Sequence, residues 1–319
     1  MTYSIGEMIP TRDSYGRTLC DLGAKNDKVV VFEADIGKST RSSWFGRKFP
    51  DRYFNVGIAE QNEMAAAAGA AMCGLIPFVN TYAVFAAMRA CEQIRTFIAY
   101  PYLNVKICPS HGGITPANDG VTHQATEDIG MMRVIPGMTV IMPADAVAAR
   151  ELVFQAAQYP GPVYLRFTRD AVPVIYPDNT KFKIGKGIRL KAGKDVSIIA
   201  LGDMVSKALV AQNLLYREKI SADVIDMHTV KPLDTEILLD SAGRTGAVVT
   251  VEDHQINCGL GGAVCETLSE RMNVPVKRIG LKDTFAESGE YEQLLEKYGM
   301  SAMDIVKACE DVIGRKNEQ

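Results

Sequence analysis

Apolar residues along this chain fall into two alternating kinds of segment. Short, uninterrupted apolar runs are typical of strands that are buried on both faces of a parallel sheet. Between them lie longer segments rich in alanine, methionine, leucine and glutamate, whose apolar residues recur at helical spacing. This alternation predicts an α/β fold. In the first half, the predicted strands are 29–32, a run near Pro77, 103–108, 139–142 and 163–167, and the predicted helices are 61–73, 84–99 and 146–158.

A stretch rich in proline and glycine interrupts this alternation at residues 172–194, where only a hairpin-like run, KFKIGKGIRL, keeps any pattern. A length of 319 residues also exceeds the usual size of one hydrophobic core. We therefore predict two three-layer α/β domains with mostly parallel sheets. The predicted domains are 1–175 and 191–319, with a linker at 176–190, and the predicted strands of the second are 196–201, 222–227, 247–252 and a run near Val276.

Composition and charge exclude several classes of protein. Hydrophobic residues make up 47% of the chain, and the formal net charge is only -3, with the basic residues scattered. Nucleic acid is therefore not an expected partner. No apolar run reaches the roughly 18 residues of a membrane span, and no secretory signal is evident. Seven cysteines without a CxxC pair indicate buried free thiols. We expect a soluble, cytoplasmic protein with no membrane partner.

The segment 55–74, NVGIAEQNEMAAAAGAAMCG, places polar residues at the start of a predicted helix that is otherwise small and apolar. Gly57 permits a tight turn from strand to helix, and Glu60 then falls in the first helical turn. The helix dipole favours an acid there by about 0.3–1 kcal/mol, so Glu60 has a purely structural explanation. Tyr82, Phe85 and Met88 follow on one helix edge, and such a stripe usually belongs to the core.

A long connection rich in glycine and proline follows the predicted strand at 103–108 and carries His111, Asp119 and His123. Loops after the strands of α/β proteins often carry function. Two histidines and an aspartate among glycines indicate a site that handles protons or binds hydroxyls. Their spacing, H-x7-D-x3-H, matches no common metal motif, and we expect no metal ligands in this chain.

The sequence matches neither of two common nucleotide-binding motifs. The phosphate-binding motif G-x-x-x-x-G-K-[ST] is absent from the sequence. The run CGLGGAVCE at 258–266 reads G-x-G-G, which differs from the dinucleotide fingerprint G-x-G-x-x-G. We interpret its glycines as close packing between a strand and a helix, and we expect no nicotinamide cofactor.

Five motifs occur in order along the chain, namely GIAEQNE, NTYAVF, ANDGVTHQ, PGMTVIMPAD and GPVYLRFTR. With these motifs the chain resembles the C-terminal half of transketolase over essentially its whole length. The resemblance implies that 1–175 is a pyrimidine-binding domain for thiamin diphosphate and that 191–319 is the transketolase C-terminal domain. It also implies transfer of a two-carbon ketol unit from a ketose phosphate to an aldose phosphate.

The resemblance implies cofactor contacts at five positions. Glu60 matches the catalytic glutamate that hydrogen-bonds the cofactor's aminopyrimidine ring, a role that burial would assist by raising the carboxyl pKa. Tyr82 and Phe85 match aromatic residues that pack around the same ring. Met88 stands where the family often has a third aromatic side chain, which is a departure from the pattern. Asp35 matches an acid near the cofactor.

The substrate site is implied in the same way. The positions in the 111–123 loop match residues that bind or protonate sugar hydroxyls, and both histidines are implied to be catalytic. Two arginines and a serine match positions that bind the sugar phosphate, for which a guanidinium fork is well suited. The implied substrate-binding residues are His111, Asp119, His123, Arg12, Ser39 and Arg169.

Full-length transketolases carry an N-terminal domain in which a GDG motif and a downstream asparagine hold Mg²⁺ and the diphosphate. This sequence contains no such pair. The resemblance therefore implies one subunit of a split transketolase, which is active only with an N-terminal subunit that carries the diphosphate-binding domain. That partner would hold most contacts to Mg²⁺ or Ca²⁺, and two copies of each chain would form an α2β2 heterotetramer.

Three alternatives stay open. Deoxyxylulose phosphate synthase shares GIAEQ and a DGxTHQ loop, but it usually has Asp-Arg where this chain has Ser110-His111. The beta subunits of 2-oxoacid dehydrogenases also lack the partner domain, although they do not typically show DGVTHQ. A homologue without catalytic activity, with a regulatory role, is the third, and retention of Glu60, Asp119 and both loop histidines argues against it.

Overall fold

The structure, a computed structural model, describes residues 2–317. The strands are β1 (Met8–Pro10), β2 (Val29–Glu33), β3 (Tyr53–Asn55), β4 (Ile76–Asn80), β5 (Lys106–Ile107), β6 (Thr139–Ile141), β7 (Val163–Leu165), β8 (Ala171–Pro173), β9 (Ile188–Lys191), β10 (Val196–Ala200), β11 (Ala222–Asp226), β12 (Thr229–Lys231), β13 (Val248–Gln255) and β14 (Val276–Leu281). The α-helices are α1 (Thr11–Lys25), α2 (Gly37–Thr40), α3 (Ser43–Lys48), α4 (Glu60–Met72), α5 (Cys91–Gln93), α6 (Asp128–Val134), α7 (Ala146–Gln158), α8 (Met204–Arg217), α9 (Thr235–Thr245), α10 (Leu260–Arg271), α11 (Tyr291–Lys297) and α12 (Ala302–Asn317).

A seven-stranded sheet with the order β12-β6-β7-β5-β4-β2-β3 organises the first half of the chain. Its strands are parallel except for β12, which runs antiparallel to β6. The five apolar runs predicted as strands all belong to this sheet. Because β2, β4 and β5 are parallel, their carboxyl ends meet at one edge, and the connections that follow them lie close together.

A five-stranded sheet with the order β14-β13-β10-β11-β9 organises the second half. Four of its strands are parallel, and β9 pairs antiparallel with β11. Two α/β units with mostly parallel sheets are thus confirmed. The hairpin expected at 181–190 is wrong, because β9 finds its partner in β11. The preceding Gly187 packs closely against Ile225 and Ile237, which keeps that segment on the second sheet.

The two sheets are joined by a strand that sequence reasoning did not predict. Strand β12 follows β11 of the second sheet but pairs with β6 of the first, with Thr229 opposite Ile141. Nearby, Lys231 Nζ donates hydrogen bonds to the carbonyl oxygens of Arg133 and Ile135 at 2.8 and 2.5 Å. The second half of the chain therefore completes the sheet of the first.

Two further expectations are refined by the structure. The helix expected at 84–99 contains wider π-helical turns at Phe85–Arg89 and Ile94–Ala99, on either side of α5. All seven cysteines are free, but Cys73 and Cys258 are exposed, so burial describes only part of the set. Across residues 2–317, no helix combines the length and the apolar character that a membrane crossing needs.

Candidate active site

Glu60 opens helix α4 and lies almost completely buried, with 2% of its surface exposed. Gly57, with a φ of +76°, makes the turn that precedes this helix. Both carboxylate oxygens accept hydrogen bonds from Arg89 Nη1, at 2.8 and 2.9 Å. The helix dipole favours this acid, as the sequence indicates, but the carboxylate is also held by a cation from a neighbouring segment.

Two aromatic rings lie next to this ion pair. The Arg89 guanidinium lies 4.4 Å from the centre of the Phe85 ring. Phe85 and Tyr82 are stacked with ring centres 5.8 Å apart, and both side chains are half-buried. The interpretation of this stripe as core is therefore wrong, because the rings line an accessible surface beside Glu60. Met88, 44% exposed, lies at the outer end of the same segment.

His111 packs directly on Tyr82, with ring centres 3.9 Å apart. Its Nε2 lies 3.2 Å from Arg12 Nη1, and its Nδ1 lies 2.7 Å from Ser110 Oγ. A guanidinium only donates hydrogen bonds, so Nε2 must accept, and Nδ1 carries the hydrogen that Ser110 Oγ accepts. Burial, followed by the positive charges of Arg12 and Arg169, lowers the pKa of His111 to about 2. The ring is therefore neutral at physiological pH.

The other end of the loop returns to the same rings. His123 meets Tyr82 and Phe85 edge-on, with ring centres 5.8 and 5.6 Å apart. Its Nδ1 lies 2.9 Å from Thr122 Oγ1. Asp119, on the exposed part of the loop, forms an ion pair of 3.4 Å with Arg169. The structure thus brings both loop histidines onto the rings beside Glu60.

Three arginines, Arg12, Arg41 and Arg169, lie close enough to His111 for their charges to lower its pKa. Arg12 Nη1 donates to the carbonyl oxygen of Ser39 at 3.1 Å. Burial, and then the positive charges of Arg41 and Arg169, lower the pKa of Arg12. Arg41 is held through Nε, 2.7 Å from an Asp13 carboxylate oxygen. This concentration of guanidinium groups suits a phosphate dianion.

Asp35 lies at the same edge of the first sheet, in the connection after β2. Its φ is +63°, its side chain is exposed, and its carboxylate accepts a 2.9 Å hydrogen bond from Asn55 Nδ2. The Asp35 carboxylate is thus bonded to Asn55 at the end of β3, whereas Tyr82 and Phe85 contact His123.

Sequence reasoning missed several polar groups at this site. Arg41 gave no signal beyond its place in a short loop. Glu33 and Glu63 are completely buried. The sequence signals that could have identified them are an acid at the end of an apolar strand, for Glu33, and an acid inside an alanine-rich helix, for Glu63. Burial raises the pKa of Glu33 to about 7 and, together with the charge of Glu33, raises that of Glu63 well above its usual range. Glu63 accepts a 3.0 Å hydrogen bond from the backbone N–H of Asn80.

Other candidate features lie elsewhere. The glycine-rich run after β13 packs as expected, because the Glu252 carboxylate accepts from the N–H groups of Leu260 and Gly261, both at 2.7 Å. A cavity of about 890 Å³ lies between the two halves of the chain, lined in part by Arg133, Lys231 and His254, and no predicted site residue borders it. Among residues 2–317, no group of three or more His, Cys, Asp or Glu side chains is arranged to hold a metal ion.

Comparison with known protein families identifies the class of protein to which this two-domain α/β fold belongs. Residues 7–174 match the transketolase pyrimidine binding domain, and residues 185–305 match the transketolase C-terminal domain. The chain therefore belongs to the transketolase family, whose members are thiamin diphosphate-dependent transferases. Its fold and its two-domain composition follow those of the C-terminal half of these enzymes.

Several relatives match over nearly the full chain. The 6-deoxy-6-sulfo-D-fructose transketolase subunit SqwH of Clostridium sp. (strain MSTE9) is 42% identical, over 96% of this chain and 95% of its own length. A solved structure titled "Split gene transketolase, inactive beta4 tetramer" is 49% identical, with a TM-score of 0.89, over 97% of this chain and 100% of its own. Transketolase of Homo sapiens is 35% identical over 98% of this chain and 50% of its own length.

Proposed function

We propose that this chain is the C-terminal subunit of a two-component transketolase, which transfers a two-carbon ketol unit from a ketose phosphate to an aldose phosphate. The observation that carries the proposal is an unbroken series of contacts. It runs from buried Glu60 through Arg89 to the Phe85 and Tyr82 rings, and from Tyr82 to His111. A proton-exchanging acid, an aromatic surface and polar groups for hydroxyls are thus contiguous.

The residues fit thiamin diphosphate as the cofactor, which supplies a nucleophilic carbon for the two-carbon unit. Glu60 is suited to hold a proton at a nitrogen of the pyrimidine ring, because it is a buried carboxylate at the edge of an aromatic surface. Tyr82 and Phe85 are assigned to the aromatic surroundings of that ring, with Met88 beside them. Asp35, at the same sheet edge, is assigned to the periphery of the cofactor site.

The remaining predicted residues are assigned to the sugar phosphate. His111 is assigned to a sugar hydroxyl, and so is His123, which reaches the same rings from the opposite end of the loop. Asp119 is assigned to a second hydroxyl. Arg12, Ser39 and Arg169, with the additional cation Arg41, are assigned to the phosphate.

Large exposed apolar side chains on α4 and on neighbouring segments support a partner subunit. They lie on β3, on α4 and its preceding turn, and on the segment 85–100. Large exposed apolar side chains are a feature of protein interfaces. We propose that the diphosphate-binding subunit, with its Mg²⁺ or Ca²⁺, covers this surface in an α2β2 assembly. The exposed residues are Phe54, Ile58, Met72, Met88, Phe97 and Tyr100.

Reconstitution tests the proposal. The chain, a GDG-bearing partner encoded in the same genome, thiamin diphosphate and Mg²⁺ are mixed, and ketol transfer is followed with pentose phosphates and with sulfonated or branched sugars. We expect turnover only when both chains are present. Turnover by the isolated chain would contradict the split arrangement, and conversion of 2-oxoacids without ketol transfer would favour the dehydrogenase alternative.

The phosphate assignment gives a second expected result. Arg169→Ala should raise KM for a phosphorylated ketose by about tenfold to a hundredfold, because it removes a charge-assisted contact to the phosphate. KM for the same ketose without its phosphate should change little. Arg169→Lys should recover part of the loss. Arg217→Ala, at an exposed arginine on α8, serves as the control. Equal effects on both ketoses would refute the assignment.

A further inference from the structure

The loop that carries His111 and His123 rests on the second half of the chain. The backbone N–H of Ile114 donates to both carboxylate oxygens of Asp253, each at 3.0 Å. Further along, Asn118 Nδ2 donates to Glu290 Oε1 at 2.9 Å, and Gln124 Nε2 donates to the carbonyl oxygen of Glu287 at 3.0 Å. The loop is therefore held from the C-terminal domain at several points.

Asp253 is the buried member of these contacts, with none of its surface exposed. It lies near the end of β13, and its backbone is fixed by a 2.9 Å hydrogen bond from Arg166 Nη2 to its carbonyl oxygen. Its carboxylate sits against Gly113, whose φ is +61°. A Cβ at Gly113 would lie 2.0 Å from Oδ2, so the backbone approaches the carboxylate as closely as glycine permits.

The position of this contact along the loop matters for the site. Ile114 is three residues from His111, which itself holds a φ of +63° that a residue with a side chain rarely adopts. Such a conformation persists only when the surroundings enforce it. Tyr82 and Arg12 contact the His111 ring, and Asp253 fixes the backbone on the other side of the Gly112-Gly113 pair.

We propose that Asp253 is a positioning residue, through which the C-terminal domain holds the 111–114 backbone so that His111 faces the site. The expected effect of Asp253 on turnover rests on the proposed function, whereas its contact with the loop backbone does not. The charged groups around it are the Arg166 cation and the Asp128 and Asp203 carboxyls. Burial and the charge of Asp203 raise the pKa of Asp253, and asparagine keeps one of the two acceptor oxygens and carries no charge.

The test compares Asp253→Ala and Asp253→Asn with Asp226→Ala by residue-resolved hydrogen exchange and by kinetics of the reconstituted enzyme. Asp226 is an equally buried carboxyl of the same domain, which accepts a 2.7 Å hydrogen bond from the Tyr176 hydroxyl. In Asp253→Ala we expect amide exchange in the 112–126 segment to accelerate about tenfold and KM for the donor sugar to rise about tenfold. Asp253→Asn should stay near wild type in both.

Asp226→Ala should lower the melting temperature without changing exchange in that segment. Unchanged loop exchange in Asp253→Ala, or the same change in Asp226→Ala, would overturn the proposal. If Asp253→Ala does not fold, the wild type decides, because the Ile114 amide must exchange far more slowly than that of exposed Val121. Absence of ketol transfer in every sample, with the exchange results as expected, would reject only the proposed function.

Discussion

Replacing Glu60 with alanine is expected to lower kcat/KM for ketol transfer by about 10²–10⁴-fold, the usual contribution of a positioned group that exchanges a proton. The carboxylate is buried, and its charge is balanced by the two hydrogen bonds from Arg89. Glu60→Gln keeps the shape but exchanges no proton, so it should lose nearly as much. Steady-state kinetics with saturating partner subunit and cofactor measure both variants.

The matched control is Glu266→Ala. Glu266 also pairs with an arginine, Arg133, but it is exposed and lies in α10 of the second domain. It should keep wild-type activity. Melting temperatures establish that each variant is folded. A Glu60→Ala enzyme that retains half of the wild-type kcat/KM would remove Glu60 from the chemistry and, with it, the main support for the proposed function.

Apolar runs and glycine positions were sufficient to predict most of the fold. The uninterrupted apolar runs of β2, β4 and β10 predicted both sheets, because strands that are buried on both faces of a parallel sheet are almost continuously apolar. Gly57 located the start of α4 and therefore the position of Glu60. Strand β12 could not be predicted in this way. Its three residues pair with β6, nearly ninety positions earlier in the chain, and only tertiary structure brings them together.

The candidate site was predictable to a similar extent. Motifs identified the acid, the rings and the loop histidines, and the structure brings Glu60, Tyr82 and His111 into one surface. Their roles stay predictions. The partners of these residues were not predicted. Arg89 and Asp253 lie on other elements, and no pattern in the sequence indicates that they contact Glu60 and the His111 loop. The arginine that pairs with Glu60 and the carboxylate that binds the loop backbone can therefore be identified only from the tertiary structure.

Arg166→Met is expected to lower the free energy of unfolding by about 3–5 kcal/mol, because it leaves a buried carboxylate without its cation. Arg166 is completely buried, and its Nη1 donates to Asp128 Oδ1 at 2.9 Å. The other Asp128 oxygen accepts a 2.7 Å hydrogen bond from the Tyr164 hydroxyl, which alone cannot neutralise the charge. Urea titration followed by circular dichroism measures the loss.

Two comparisons separate this mechanism from general damage to the core. Arg315→Met removes one partner of an exposed pair with Asp311 on α12, and it should cost less than about 0.5 kcal/mol. The double variant Asp128→Asn/Arg166→Met removes both charges, so it should be more stable than Arg166→Met alone. If the double variant is no more stable than the single one, the loss comes from packing around the arginine side chain. In that case the unpaired Asp128 charge is not what destabilises Arg166→Met.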